Sequence, residues 1–111
     1  MIVGIGVDII EQSRFVSFLE DDRKLKKILS SLEIACIKGF HSTARKLEYV
    51  ASRFAAKEAL YKAGLRFVFS KVSILSQENQ PPLIIGLEDK KVHLSISHNQ
   101  TMSIAYVIVE Q

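Results

Sequence analysis

The segment that most constrains the fold is the run of residues 53–63, Arg-Phe-Ala-Ala-Lys-Glu-Ala-Leu-Tyr-Lys-Ala. It is rich in strong helix formers and has neither proline nor glycine, which predicts the middle and end of a long α-helix. We expect this helix to begin near Ser42-Thr43, where a hydroxyl can cap free N–H groups, and to end at Gly64. Its apolar side must then pack against another layer of the fold.

A carboxylate lies on the side of this helix that should face the core. At about 100° per residue, one face collects six residues: Leu47, Ala51, Phe54, Ala55, Glu58 and Lys62. Burying Glu58 is costly unless a cation or hydrogen-bond donors meet it. Lys62 is correctly spaced for an ion pair within the helix. Alternatively, Glu58 meets a metal or a substrate, and the helix alone leaves both interpretations open.

A second carboxylate lies on an unusually bare strand. Residues 2–10 are rich in β-branched side chains and predict a strand, in which Gly4, Gly6 and Asp8 share one face. Because glycine leaves that face without side chains, other backbone or a ligand can approach it closely. Asp8 is therefore either a functional carboxylate or a strand-terminal residue that caps the following segment.

The rest of the chain predicts short helices and antiparallel strands. Helices are expected near residues 11–19, 23–30 and 31–38, and strands at 71–76, 83–86, 92–97 and 103–109, with a proline-containing turn at 77–82. The last two strands alternate clearly and predict a hairpin. The expected fold class is α+β, with an antiparallel-rich sheet packed on one long helix plus short helices, in a single domain over residues 1–111.

Composition restricts the possible partners and location. With 15 basic and 12 acidic residues the net charge is +3, a weak attraction for an acidic partner. No apolar run approaches the roughly 20 residues that cross a bilayer, and no secretory signal is evident, so no membrane association is expected. The lone Cys36 cannot form an internal disulfide, which predicts a reduced, cytoplasmic setting and a buried or half-buried thiol.

Taken together, the two carboxylates suggest a shared cation. If the helix packs on the sheet, Asp8 and Glu58 can meet, and their repulsion is relieved by a hard cation such as Mg²⁺ held together with substrate phosphates. Arg53, Lys57 and Lys62 would then supply positive charge around those phosphates. The residues point to a metal-dependent enzyme acting on a phosphate ester or anhydride. A small RNA-binding module is the rival, but the chain lacks aromatic-rich strand motifs that stack bases, so no nucleic acid is expected.

Three blocks of sequence carry a family resemblance. They are residues 4–9 (Gly-Ile-Gly-Val-Asp-Ile) with Glu11 and Arg14, residues 53–59 with Lys62, and residues 94–98 (Leu-Ser-Ile-Ser-His) with Ala105 and the ending Val109-Glu110. In this order and spacing the chain resembles the holo-acyl-carrier-protein synthases, the short branch of the 4′-phosphopantetheinyl transferase superfamily. The blocks span nearly the whole chain.

The resemblance implies a reaction and a site. It implies transfer of the 4′-phosphopantetheine group from coenzyme A to a serine of apo-acyl carrier protein, Mg²⁺-dependent, with release of adenosine 3′,5′-bisphosphate, in support of fatty acid biosynthesis. Asp8 and Glu58 match the metal ligands and, with Lys62, the catalytic residues. Lys62 matches the lysine that faces the pyrophosphate, and Arg53 and His98 match residues that line the nucleotide site. Glu58 or a metal-bound water is the candidate base.

The resemblance also implies partners. Arg14 matches a basic helix that docks the acidic carrier protein, and Lys24 extends that patch. Family members of this length are homotrimers with active sites between neighbouring subunits. The chain departs from the family after the long helix, where residues 64–70 contain one glycine in place of a Gly-Thr-Gly-like loop. An inactive relative of the family is therefore a second alternative.

Overall fold

The long helix of the computed structural model begins and ends where the sequence predicts. Helix α3 (Thr43–Lys62) follows Ser42, whose hydroxyl accepts the N–H of Arg45 at 3.0 Å. The chain leaves the helix through Gly64, whose φ of +105° lies in the left-handed region that glycine adopts readily. The caps at both ends therefore fix the length of the central element.

The structure describes residues 1–111, and the other elements surround α3. In chain order they are β1 (Ile2–Glu11), a 3₁₀ helix (Gln12–Phe18), α1 (Asp22–Ile28), α2 (Ser31–Lys38), then after α3 a 3₁₀ turn (Phe69–Lys71), β2 (Ser73–Gln77), β3 (Gln80–Ile85), β4 (Lys91–His98) and β5 (Met102–Glu110). The expected first helix is thus a 3₁₀ helix rather than an α-helix.

The strands form two separate antiparallel sheets. One has the order β1-β5-β4 and the other is the β2-β3 hairpin. The prediction that both prolines lie in a turn was wrong, because Pro81 and Pro82 belong to β3. An edge strand tolerates their missing N–H donors, and the turn shrinks to Glu78-Asn79 with Asn79 at φ 59°. The α+β class with antiparallel sheets is confirmed.

Helix α3 is buried on more sides than its sequence pattern indicates. Its buried residues extend almost continuously from Tyr49 to Leu60, within a core of 22 buried apolar residues. The face of α3 that was predicted to point into the core lies instead at the edge of the core, since Phe54 and Glu58 are half-buried and Lys62 is exposed. The reason is that the three-stranded sheet covers one side of α3, while α1 and the 3₁₀ helix cover another.

Two glycines allow β1 to touch the backbone of α3. A Cβ at Gly4 would lie 2.0 Å from the carbonyl oxygen of Ala63, and a Cβ at Gly6 would lie 1.9 Å from that of Ala59. No side chain fits at those distances, so the bare strand face is used for close packing of backbone on backbone. The next residue on this face is Asp8, which the contact carries to the side of α3.

The short helices have their own caps. Asp21 accepts the N–H groups of Arg23 and Lys24 at the start of α1, and Ser30 forms a reciprocal capping box with Glu33 at the start of α2. The expectation of a buried or half-buried thiol was wrong, because Cys36 on α2 is exposed. None of the helices has the length and apolarity needed to span a membrane. The cytoplasmic setting stays a prediction.

We expect Gly6→Ala to destabilise the protein by about 3 kcal/mol, because the added methyl group meets a helix carbonyl that cannot rotate away. Gly39→Ala is the matched control, since its Cβ would lie 3.4 Å from the oxygen of Cys36. Urea unfolding of both variants measures the difference. Equal free energies of unfolding for the two variants would show that β1 and α3 can separate without loss.

Candidate active site

Asp8 and Lys62 meet beside the contact between β1 and α3. Lys62 Nζ lies 3.0 Å from Asp8 Oδ1 and donates to the carbonyl of Val7 at 3.2 Å. The predicted alternative of a Glu58–Lys62 pair within the helix is not formed, because Lys62 turns to the strand. The capping alternative for Asp8 is also wrong, since Asp8 lies inside β1 and Glu11 precedes the 3₁₀ helix.

Glu58 lies on the same side of α3, one turn before Lys62. Gly4 abuts Ala63 and Gly6 abuts Ala59, so the strand and the helix run in opposite directions with matched spacing. On the same spacing Asp8, two residues beyond Gly6, lies level with Ala55, in the turn of α3 that ends at Glu58. The Glu58 carboxylate is half-buried and belongs to none of the salt bridges of the chain. We refer to Asp8, Glu58 and Lys62 as the carboxylate site.

The donor set of the carboxylate site suits a hard cation. No cluster of three or more His, Cys, Asp or Glu side chains that could hold a metal occurs in the chain. Mg²⁺ needs fewer, since it is commonly held by one or two carboxylates together with substrate phosphates and waters. Asp8 and Glu58 carry carboxylate oxygens, the atoms that such a cation prefers, and Lys62 carries a positive charge next to Asp8.

Arg53 and His98 meet at a different place. They line one cleft of about 570 Å³ between α3, the β2-β3 hairpin and β4, here called the Arg53 cleft. The Arg53 guanidinium is held by the Ile74 carbonyl at 3.0 Å and the Ser76 hydroxyl at 3.1 Å, and it lies 4.0 Å from the centre of the Tyr49 ring. Burial raises the pKa of Tyr49 well above its usual range, so the ring stays neutral beneath the cation.

Arg45 and Glu48 belong to this cleft and were missed by the sequence reasoning. Glu48 Oε1 lies 2.7 Å from Arg45 Nη1 and 3.2 Å from His98 Nε2, which ties helix and hairpin together. Their signal in the sequence was the spacing of 45, 48 and 52, which places three polar residues on one stripe of α3. The cleft is consequently lined by two guanidinium groups and an imidazole, a set suited to phosphate recognition.

The Arg53 cleft and the carboxylate site lie on opposite sides of α3. Arg53 and Lys62 are nine residues apart, which corresponds to roughly 180° around the helix and about 13 Å along it. One protomer therefore brings Asp8 to Lys62 and Arg53 to His98, but it does not bring the two pairs together.

Comparison with known proteins identifies the family of the chain. The family model for the 4′-phosphopantetheinyl transferase superfamily matches residues 4–108. The chain belongs to that superfamily. A curated holo-[acyl-carrier-protein] synthase from Geobacillus kaustophilus is 43% identical over 118 aligned positions, covering 100% of this chain and 91% of the relative. This chain is accordingly a phosphopantetheinyl transferase enzyme.

Solved structures show the same fold. A holo-(acyl-carrier-protein) synthase from Bacillus anthracis, in complex with CoA (3′,5′-ADP), superimposes with a TM-score of 0.86 at 37% identity, covering 99% of this chain and 97% of that one. The holo-[acyl-carrier-protein] synthase from Neisseria meningitidis gives a TM-score of 0.84 at 28% identity, with 100% of both chains covered. The recognition of the family from its three sequence blocks is confirmed.

Lys57, expected near the phosphates, is instead buried in the core of this transferase. Its ammonium group donates to Glu33 Oε1 at 2.6 Å and to the carbonyls of Ile28 and Phe69 at 2.7 and 2.8 Å. Glu33 also accepts the N–H of Ile74 at 2.9 Å. Burial lowers the pKa of Lys57, and the Glu33 carboxylate partly opposes that shift. Lys57 thus joins α3 to α1, α2, β2 and the loop after α3, and leaves Lys62 as the cation of the carboxylate site.

Arg14 and Lys24, the predicted docking residues, flank a row of aromatic rings. Arg14 lies 5.6 Å from the centre of the Phe54 ring, and Lys24 lies 5.5 Å from that of Phe18. Phe15 connects the two rings, with centroid distances of 5.1 Å to Phe18 and 5.3 Å to Phe54. Phe15 is only 1% exposed, so the accessible part of the row is formed by the half-buried Phe18 and Phe54 with the two cations, and Phe54 lies one helical turn before Glu58.

We expect Lys57→Met to cost about 3–5 kcal/mol of the free energy of unfolding, because it leaves the Glu33 carboxylate buried without its cation. Arg45→Met removes a partner from an exposed pair and should cost less than about 1 kcal/mol. Urea denaturation compares the two. Adding Glu33→Gln to Lys57→Met should recover part of the loss, whereas equal effects of Lys57→Met and Arg45→Met would contradict this assignment.

Proposed function

We propose that the protein transfers the 4′-phosphopantetheine group of coenzyme A to a serine of apo-acyl carrier protein and releases adenosine 3′,5′-bisphosphate. The observation that carries this proposal is that two different sets of polar side chains lie on opposite sides of α3. One side offers two carboxylates and a lysine for a metal-bound pyrophosphate, and the other offers guanidinium groups and an imidazole for a nucleotide. The Geobacillus relative bears the name of this activity, and the Bacillus anthracis structure contains CoA (3′,5′-ADP).

In the proposed reaction a serine oxygen of the carrier protein attacks the pyrophosphate phosphorus that bears the pantetheine arm. The new bond joins the serine oxygen to that phosphorus, and the bond to the bridging pyrophosphate oxygen breaks. The serine proton passes to a base, for which Glu58 is the candidate on this chain. The electron pair leaves with adenosine 3′,5′-bisphosphate, and Lys62 stabilises the charge that develops on the phosphates.

Asp8 and Glu58 would hold Mg²⁺, which when bound would neutralise part of the pyrophosphate charge. The chain itself supplies orientation. Lys62 is held toward the strand by Asp8 and by the Val7 carbonyl, so its ammonium group is placed before substrate arrives. Arg53 is held by two oxygen acceptors and by the Tyr49 ring, which gives the nucleotide a fixed partner.

A homotrimer with shared active sites would unite the two halves of the site. The three-stranded sheet has an exposed outer face, whose apolar residues are 38% to 60% exposed: Ile5, Val7, Ile9, Ile104 and Tyr106. They are cross-strand neighbours, with Val7 opposite Tyr106 and Ile9 opposite Ile104. A contiguous apolar surface of this kind usually marks an interface. Packed on copies of itself, it would place the Arg53 cleft of one protomer near the carboxylate site of another.

The carrier protein would dock on the aromatic row and its flanking cations, Arg14 and Lys24. Their positive charge suits an acidic partner, and the aromatic rings add apolar contact. We further propose that residues 1–111 act as one domain, which the shared core of 22 buried residues supports.

Activity is tested by incubation with coenzyme A, Mg²⁺ and apo-acyl carrier protein, followed by mass spectrometry for the gain of the phosphopantetheine arm. We expect Asp8→Ala and Glu58→Ala to lower the rate at least about 100-fold with the fold retained by circular dichroism. Asp89→Ala, which removes an exposed carboxylate elsewhere, should keep full activity. Absence of the mass gain under varied metals and carriers would refute the enzyme, and full activity of both variants would refute the metal ligands.

Docking is tested by charge reversal. We expect Arg14→Glu to raise the KM for the carrier protein about tenfold, because it places a carboxylate against an acidic surface, while the KM for coenzyme A stays unchanged. Lys71→Glu, on an exposed residue outside the aromatic row, is the control. Steady-state kinetics at two ionic strengths should show the difference shrinking as salt rises. Equal KM values for the two variants would place docking elsewhere.

The shared site is tested by mixing two inactive variants. We expect His98→Ala and Lys62→Ala to be nearly inactive alone, and co-expression to restore activity in about a quarter of the sites, because some interfaces then combine two intact halves. A site contained in one protomer would give no restoration. Light scattering of the wild-type protein provides the independent measurement, and a monomer at working concentration would refute the trimer.

A further inference from the structure

The tip of the β4-β5 hairpin carries His98, and its local shape is set by Asn99. The Asn99 side-chain oxygen accepts the N–H groups of Thr101 at 2.9 Å and Met102 at 2.8 Å, while the Asn99 N–H donates to the Met102 carbonyl at 3.0 Å. These bonds close the turn on itself. They do not determine where the tip lies relative to α3, and therefore where His98 lies relative to Glu48.

Gln12, directly after β1, donates hydrogen bonds to the backbone of the hairpin tip. Its side-chain amide Nε2 lies 3.0 Å from the Asn99 carbonyl oxygen and 3.2 Å from that of Met102. Its backbone N–H donates to the Thr101 carbonyl at 2.9 Å. Three carbonyls of the tip thus accept hydrogen bonds from one residue about 90 positions earlier in the sequence.

The burial of Gln12 shows that these bonds are specific. The side chain is only 6% exposed, and an amide removed from water is unfavourable unless its hydrogen-bonding groups find partners. The two N–H donors of the amide are matched by the carbonyls of Asn99 and Met102. An apolar side chain would fill the same space without directing the tip.

A second link connects the same site to α3. Gln12 Nε2 lies 3.4 Å from Ser103 Oγ, and Ser52 Oγ donates to Ser103 Oγ at 3.1 Å, with both serines buried. Ser52 is one helical turn after Glu48. The Ser52–Ser103 bond and the His98–Glu48 contact therefore both join α3 to the β4-β5 hairpin, side by side. Gln12, Ser103 and Ser52 thus form a chain of buried polar contacts from the end of β1 through the hairpin to α3.

We propose that Gln12 is a positioning residue, which holds His98 against Glu48 in the Arg53 cleft and thereby strengthens coenzyme A binding without touching the ligand. The inference rests on the proposed function, because it takes the Arg53 cleft as the nucleotide site. Among the elements of that cleft, Gln12 bonds directly only to the hairpin, and it reaches α3 through Ser103. Its loss should therefore affect the nucleotide and leave the carboxylate site and the docking surface intact.

The test is a double-mutant cycle on binding, measured by titration calorimetry with coenzyme A. We expect Gln12→Met, which keeps the length of the side chain and removes the amide, to weaken binding about tenfold in the wild-type background. In the His98→Ala background the same change should weaken binding less than about twofold, because the group that it positions is already absent. Ile37→Val, a core change on α2 remote from the cleft, controls for lost stability.

Transfer kinetics and a second variant complete the design. Gln12→Met should raise the KM for coenzyme A and leave kcat and the KM for the carrier protein unchanged. Asn99→Ala removes the hydrogen bonds of an exposed side chain at the hairpin tip, so it should not impair folding. Like Gln12→Met, it should weaken coenzyme A binding less in the His98→Ala background than in the wild-type background. Unchanged binding in Gln12→Met and Asn99→Ala, or an equal loss with and without His98, would overturn the positioning role. Failure of the wild-type protein to bind coenzyme A would instead refute the proposed function itself.

Discussion

The contact between the backbone of β1 and the backbone of α3 determines where Asp8 lies relative to the helix. Gly4 and Gly6 leave no room for a Cβ between strand and helix. Because the two elements are so close, Asp8 reaches the side of α3 and meets Lys62 at 3.0 Å. A strand held one side chain further away would leave Asp8 short of the helix and out of reach of Lys62.

The cationic side chains of α3 point in different directions, and each one is held there by different partners. Lys57 points inward, where Glu33 and two carbonyls replace its hydration. Arg53 points to a cleft, where a carbonyl, a hydroxyl and an aromatic ring hold its planar group. Lys62 extends along the strand to Asp8. The nine-residue spacing of Arg53 and Lys62 places them on opposite sides of the helix, and the burial of Lys57 fixes the rotation that decides which neighbours each one meets.

This separation connects the fold to assembly. In a single chain the Arg53 cleft and the carboxylate site lie on opposite sides of α3, and the three-stranded sheet has an exposed apolar face. An assembly through that face offers a physical reason for all three features. The tip of the hairpin that carries His98 accepts three hydrogen bonds from Gln12, which follows the end of β1 beside it.

The limits of α3, the final hairpin, the bare face of β1 and the family could all be predicted from the sequence, because they depend on local propensity, caps and short motifs. Ser42 and Gly64 mark the helix ends on their own, and Gly4, Gly6 and Asp8 follow from simple alternation. The partners of Lys57 and Lys62, and the lack of an ion pair at Glu58, depend on the tertiary structure. A helical pattern shows which residues share a face, but not which of several layers will cover that face. Lys57 became a core residue because Glu33, 24 positions earlier, comes to lie beside it, and no local rule encodes such a meeting.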